Sequence, residues 1–234
     1  MRECTCCLYN GKATALGFGG QIGIFYNSGK GIKLGASYKT QQTFESFDFA
    51  NTYLDGSKAP NVKFKMNYPA IISAGVGYSK SKFDVAVDYR FVNYANIAGF
   101  ESKGWTNTAS VAGFGWKDIS IVSAGIQYKG INKFPVRVGY TYSSNPIRSE
   151  LAFFSTPATA VIKNAFQVGC GYEFNSRLNL NAVFHYGTSR GSTSGPLLNP
   201  GMKDEANNYG AVPGGNVSYK MTTSMVTLGV NYSF

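Results

Sequence analysis

Few side chains in this sequence could do chemistry, and each has a plainer reading beside the chemical one. Lys65, Arg90 and Arg137 are bases that could meet an anionic group or pair with the carboxylates of Asp88 and Glu173. Carboxylates and bases on neighbouring inward faces lower each other's burial cost, so a packed polar network is the favoured reading. Cys4, Cys6 and Cys7 form a C-x-C-C cluster, but no His or second Cys pair stands at ligand spacing to complete a metal site. Cys170 stands alone and reads as a small apolar residue. His185 is the only histidine and reads as a hydrogen-bonding residue. No Ser/His/Asp order, phosphate loop or carboxylate pair stands out. No catalytic residue, metal or cofactor is therefore expected, and the chain does not read as an enzyme.

The elements that must position these residues announce themselves by a period of two. Phe83, Val85, Val87, Tyr89 and Phe91 share one parity, while Asp84, Ala86, Asp88 and Arg90 share the other. Alternate side chains of a strand point to opposite faces, so one face is apolar and the other charged, which helical spacing would mix. The same alternation recurs near 133–143, 164–174, 177–187 and at the C-terminus, and strands near 14–27, 31–43, 62–79 and 118–129 complete nine. The polar parity collects Lys63, Lys65, Asp84, Asp88, Arg90, Gln127, Arg137, Glu173, Asn179, Asn181, His185 and Asn231.

Connections alternate too. Asn27–Lys30, Ser79–Lys82, Gly130–Asn132 and Asn175–Arg177 are tight polar turns, with long links near 44–60, 95–117, 144–160 and 188–216. Short turns at one end and long loops at the other are the layout of bacterial outer-membrane barrels, with the long loops outside the cell. Aromatic residues flank both ends, as amphipathic rings do at membrane interfaces: Tyr26, Tyr78, Phe83, Tyr128, Phe134, Phe174, Tyr232 and Phe234 by the short turns, Tyr38, Tyr68, Phe91, Tyr140, Phe166 and Tyr186 towards the loops. A terminal Phe234 with Tyr232 two places earlier is similar to the end pattern of this class. Apolar residues also stand in the loops: Trp105 and Trp116 in one, Leu151, Phe153 and Phe154 in another. An exposed apolar patch marks a contact surface. Packing of loops on one another is the plainer reading.

Composition agrees. Aromatics make up 15% and charged residues only 15% of 234 residues, and no run approaches the roughly 18 apolar residues of a membrane helix. The +10 formal charge is scattered along the chain, which argues for solvated lysines near anionic lipid and against nucleic-acid binding. Residues 1–13 read as an irregular segment without a secretory signal, and residues 14–234 as barrel. Nine is odd where bacterial barrels have even counts, so strands upstream are expected to be missing.

Four stretches resemble the FadL-type family of long-chain fatty acid and hydrocarbon transporters, which includes the TodX-like channels: Gly31–Thr40, Asn67–Tyr78, Trp116–Asp118 leading into Ala124–Tyr128, and Val136–Ile147. The resemblance runs from about residue 14 to the end and implies an all-β, antiparallel transmembrane barrel, present here as the last nine of fourteen strands. It implies diffusion of long-chain fatty acids or aromatic hydrocarbons across the Gram-negative outer membrane, with lipid and lipopolysaccharide as neighbours. Lys65, Arg90 or Arg137 would then meet a fatty-acid carboxylate, and the loop aromatics would capture substrate. The family's N-terminal hatch lies outside this chain. A general porin for polar solutes is the alternative; an outer-membrane enzyme or an adhesive barrel fits less well.

Overall fold

The structure, a computed structural model, describes residues 8–9, 13–53, 55–106, 109–159, 161–175 and 177–233. Cys4, Cys6, Cys7 and Phe234 lie outside the described residues. Nine strands form one antiparallel sheet: β1 Gln21–Asn27, β2 Ile32–Lys39, β3 Ala70–Lys80, β4 Phe83–Asn93, β5 Ile119–Tyr128, β6 Val136–Ser143, β7 Asn164–Glu173, β8 Leu178–Thr188 and β9 Thr222–Tyr232. Each pairs with its sequence neighbour, so the sheet is a meander, and β1 and β9 are its two edges; the sheet is not closed. Most strands run 10–11 residues, about the length that crosses a bilayer when tilted. No helix among the described residues is long and apolar enough to cross a membrane.

Register confirms the two-faced pattern. Gln127 pairs with Asp84 and Arg137, and Val138 with Ile126 and Val168, so polar rows stay on one face and apolar rows on the other. On the apolar face Val138, Val168 and Leu228 are 53%, 58% and 77% exposed. Leaving each in water would forgo roughly 1.5–3 kcal/mol; acyl chains remove that penalty. The face is built for lipid.

The short turns follow from their residues. Asn27 Oδ1 accepts the Gly29 N–H at 3.1 Å, and Ser28 Oγ accepts from Lys30 and Ile32. Gly31, at φ 100°, packs so closely on the Ser79 carbonyl that a Cβ would collide with it. Asn175 Oδ1 closes the β7–β8 turn by accepting the N–H groups of Arg177 and Leu178, both at 2.9 Å.

Two expected strands are shorter than their sequence pattern. The segment 62–79 divides: Lys58–Phe64 pairs with Phe47–Thr52 in an outer hairpin, and β3 starts only at Ala70. Buried Pro69 has no N–H for a ladder, and Asn67 bonds sideways, accepting the Phe44 N–H at 3.0 Å and donating its own N–H to Ala98. The alternation therefore resets there, and Lys63 and Lys65 do not stand on a barrel strand. Likewise 14–27 holds β1 only from Gln21, while Gly17–Phe18 pairs with Thr43–Phe44 further out. The links 44–60 and 188–216 are largely hairpins, the second pairing Thr193–Leu198 with Ala211–Tyr219.

The two hydrophobic core clusters lie outside the sheet. Trp116, Ile147, Ala152 and Val161 bury one cluster, and Leu151, Phe154 and Leu198 another, both at the long-loop end. The 3-10 helix Ser149–Ser155 stands between them and carries residues of both. The hairpin 193–219 folds onto this helix so tightly that a Cβ at Gly195 would strike the Ser149 carbonyl oxygen. Gly195→Ala should therefore lever the hairpin off the helix at a cost of about 1–3 kcal/mol. Trypsin cleavage after the exposed Arg190 and Lys203 should quicken about tenfold while the nine strands stay protected; unchanged cleavage would contradict this packing.

Candidate functional site

Near the short-turn end, polar side chains form a belt across the inner face. Lys33 Nζ donates to Ser79 Oγ at 3.3 Å, and Ser79 stands opposite Asp84 in the register. Asp84 accepts from Gln127 Nε2 at 3.2 Å and Lys129 Nζ at 2.9 Å. Arg137 donates through Nε to Gln127 Oε1 and through Nη1 to Asn181 Oδ1 at 2.8 Å, and Asn181 donates to Asn179 at 3.2 Å. The Arg137–Asn181 bond passes over β7, where Gly169 and Gly171 supply no side chain to obstruct it. Arg137 is thus knitted into the wall by amides, not by Glu173 or Asp88. His185 meets Gln167 through Nδ1 at 3.2 Å in the same wall.

Higher up, the inner face changes character. Ser73, Arg90 and Ile121 share a row, and the next row outward is Ile71, Val92 and Ile119. Val92 and Ile119 are buried. Lys39 stands in that outer row and places its ammonium 4.6 Å from the centre of the Tyr68 ring. The Arg90 side chain has no hydrogen bond or ion pair among the described residues, unlike those of Lys33 and Arg137. Below it, a recess of about 570 Å³ is lined by Phe25, Gly35, Ser73, Gly75 and Asp88. A Cβ at Gly75 would collide with the Asp88 carboxylate, so this glycine gives Asp88 its room.

At the outer end the loop aromatics are brought together and mostly closed off. Leu151 and Phe154 are buried, with half-buried Trp105 and Phe153 packed against them; the Trp105 and Phe154 rings meet edge-on at 5.0 Å. Trp116 is buried in the neighbouring cluster against Tyr94 and Phe100. Both indoles are satisfied, Trp116 by Ser155 Oγ and Trp105 by the Tyr209 carbonyl, each at 2.9 Å. Three of the five expected capture residues, Trp116, Leu151 and Phe154, are thus interior. Only Trp105 and Phe153 keep an accessible flank.

Lys65 sits elsewhere. It lines a shallow recess of about 420 Å³ with Leu16, Phe18, Phe44 and Glu45, on the short ladder beyond the loop-side ends of β1 and β2. Leu16 and Phe18 are 80% and 84% exposed, so this is a largely apolar surface that also holds one ammonium, Lys65, and one carboxylate, Glu45. Leu16, Phe18 and Phe44 escape a sequence reading, because their neighbourhood with Lys65 depends on a two-residue ladder. Lys33 was within reach of the parity argument; Lys129, in a turn, was not.

Burial raises the Tyr94 and Tyr219 phenols above their ordinary value of 10.0, and Tyr219 donates to the Ala152 carbonyl at 3.1 Å. With the folded value above the unfolded one, this contribution to stability is complete below pH 10 and is lost as pH climbs through the folded value. Trp105 and Trp116 are the only tryptophans and both report on the loops. Their fluorescence should shift towards the solvent-exposed form on alkaline titration. Tyr219→Phe should cost about 1 kcal/mol at neutral pH and flatten that alkaline loss; an unaltered titration would show that Tyr219 has no part in it.

Comparison with known proteins follows the same lines. The sequence profile of the outer membrane protein transport family (OMPP1/FadL/TodX) matches residues 5–234. No curated protein matches in sequence. Among solved structures, the chain is similar to the Pseudomonas putida toluene transporter TodX (TM-score 0.62, 16% identity), covering 97% of this chain and 52% of that one. It is also similar to a Pseudomonas aeruginosa FadL homologue (TM-score 0.62, 13% identity, 92% and 52% covered) and to the CymD monoaromatic hydrocarbon channel (0.52, 16%, 93% and 51%). The chain spans about half the length of these structures. The open antiparallel sheet is a partial barrel of their fold, and the chain belongs to the OMPP1/FadL/TodX family of outer membrane transport proteins.

Proposed function

We propose that this chain forms the wall and loop cap of a passive outer-membrane channel for hydrophobic molecules, and that its substrates include long-chain fatty acids. The observation that carries this reading is the recess of Leu16, Phe18 and Phe44, whose lining also holds the Lys65 ammonium and the Glu45 carboxylate. A fatty acid has the matching chemistry: a tail that gains by leaving water and a carboxylate that gains from an ammonium. The accessible flanks of Trp105 and Phe153 offer a second apolar surface in the loops. On the inner face, unpaired Arg90 would take the head, with Phe25 of the recess below it against the tail. Arg137, held by Gln127 and Asn181, serves the wall. The cited channels for monoaromatic hydrocarbons support the hydrophobic substrate class, and an uncharged aromatic would use the same apolar surfaces without the cations.

The test is uptake in cells whose own gene has been replaced. Lys65→Gln and Arg90→Gln should each slow uptake of labelled oleate about two- to fivefold, the size of a largely exposed ion pair, and leave toluene entry unchanged. If oleate and toluene slow equally, the cations act on the fold and the fatty-acid reading fails. If deleting the gene slows small sugars as much as oleate, the channel is a general porin.

A further inference from the structure

The charge of this protein is not spread evenly along the barrel axis. The short-turn end carries eight bases, Lys30, Lys33, Lys80, Lys82, Lys129, Lys133, Arg137 and Arg177, against two acids, Asp84 and Glu173. Lys33, Lys129 and Arg137 are spent inside the wall on Ser79, Asp84, Gln127 and Asn181. Lys30, Lys80, Lys82, Lys133 and Arg177 remain: all are exposed, and none has an acidic partner among the described residues. The long-loop end mixes both signs, with Glu45, Asp48, Asp55, Glu101, Asp118, Glu150, Asp204 and Glu205 among its lysines and arginines.

The five free cations are distributed by hairpin. Lys30 belongs to the β1–β2 turn, Lys80 and Lys82 to the β3–β4 turn, Lys133 to the β5–β6 turn and Arg177 to the β7–β8 turn. Each stands beside an outward aromatic: Tyr26, Tyr78 with Phe83, Phe134 and Phe174, all well exposed. Lys80 extends the outward row of Val76 and Tyr78, and the Phe83 and Tyr128 rings join neighbouring hairpins at 5.0 Å. Aromatic rings settle at the boundary between acyl chains and headgroups, and a cation just beyond them reaches the phosphate layer on its flexible stem. Adjacent hairpins lie two strand spacings apart, roughly 10 Å, which gives each turn its own headgroup. A soluble acidic partner would call for cations gathered on one patch, whereas these follow the perimeter.

We propose that this rim binds anionic phospholipid of the adjoining leaflet, about one phosphate per hairpin, and so fixes the height of the barrel in the membrane. The inference rests on the outer-membrane placement with short turns towards the periplasm, where the leaflet is phospholipid. It does not depend on what the channel carries. The uncompensated negative charge of the headgroup phosphate, and not the glycerol or tail, supplies the recognition; phosphatidylglycerol and cardiolipin are therefore the ligands, whereas the choline cation of phosphatidylcholine neutralises its own phosphate.

The experiment takes the protein extracted from outer membranes and counts bound lipids by native mass spectrometry in mixed micelles of phosphatidylglycerol and phosphatidylcholine. The protein should prefer phosphatidylglycerol, and high salt should erode the preference. Each cation near an anionic surface is worth about a fivefold change in partitioning. The variant with Lys30, Lys80, Lys82, Lys133 and Arg177 all changed to Gln should therefore lose at least about tenfold of its preference. Lys80→Gln/Lys82→Gln alone should lose part of it, which keeps the test decisive if the fivefold variant fails to fold. Lys58→Gln/Lys117→Gln/Lys203→Gln, at the other end, should keep the preference. A folded rim variant that still selects phosphatidylglycerol, or an equal loss in the long-loop variant, would overturn the proposal. So would lipid A displacing phosphatidylglycerol from the wild type in a manner that the rim substitutions abolish. Oleate uptake reads the channel separately.

Discussion

Backbone amides in hydrocarbon have no water to turn to, and this constraint orders everything else in the protein. An unsatisfied N–H or C=O in a bilayer costs several kcal/mol, so chain that crosses it must bond within helices or across a closed ladder. Nine adjoining strands meet the demand between β1 and β9, residue by residue, without a break in register. Once the ladder is set, the period of two follows: every second side chain must suit acyl chains, and the others are free to be polar. The aromatic borders and the tight Asn- and Ser-closed turns are adjustments at the two ends of that ladder.

One consequence is an inverted distribution of hydrophobic residues. The sheet displays its valines and leucines, while the packed interior of the molecule is in its loops. There the ordinary rules return: indole N–H groups find acceptors, rings meet edge-on, and the 3-10 helix Ser149–Ser155 is the piece against which both clusters close. The inner face then grades from an apolar row under this cap, through unpaired Arg90, to the hydrogen-bonded belt near the turns.

The alternation of apolar and polar residues is enough to find all nine strands, because a local pattern of one segment records which face meets lipid. It is not enough where a segment keeps the pattern but leaves the sheet. Lys63 and Lys65 continue the parity of 62–79, yet Pro69 and the sideways bonds of Asn67 restart the ladder at Ala70. The hairpins 47–64 and 193–219 hide because Pro60, Pro196, Pro213 and nearby glycines read as loop. The belt was legible only as a list of polar residues. That Arg137 bonds Gln127 and Asn181, and not a carboxylate, depends on cross-strand register, which no single segment contains. The loop aromatics were found by composition, but their burial depends on three loops meeting.

The belt also has a mechanical meaning. It links strands side by side at one height, and the bond from Arg137 to Asn181 spans a whole strand over two glycines. Higher up, Ser123 meets Thr141 at 3.0 Å and Tyr140 bonds Asn164 at 2.6 Å, and the two loop clusters tie the far end, so neighbouring strands are fastened at several heights. A pull on any one strand is therefore shared with its neighbours, as tension in a stitched seam spreads along its stitches.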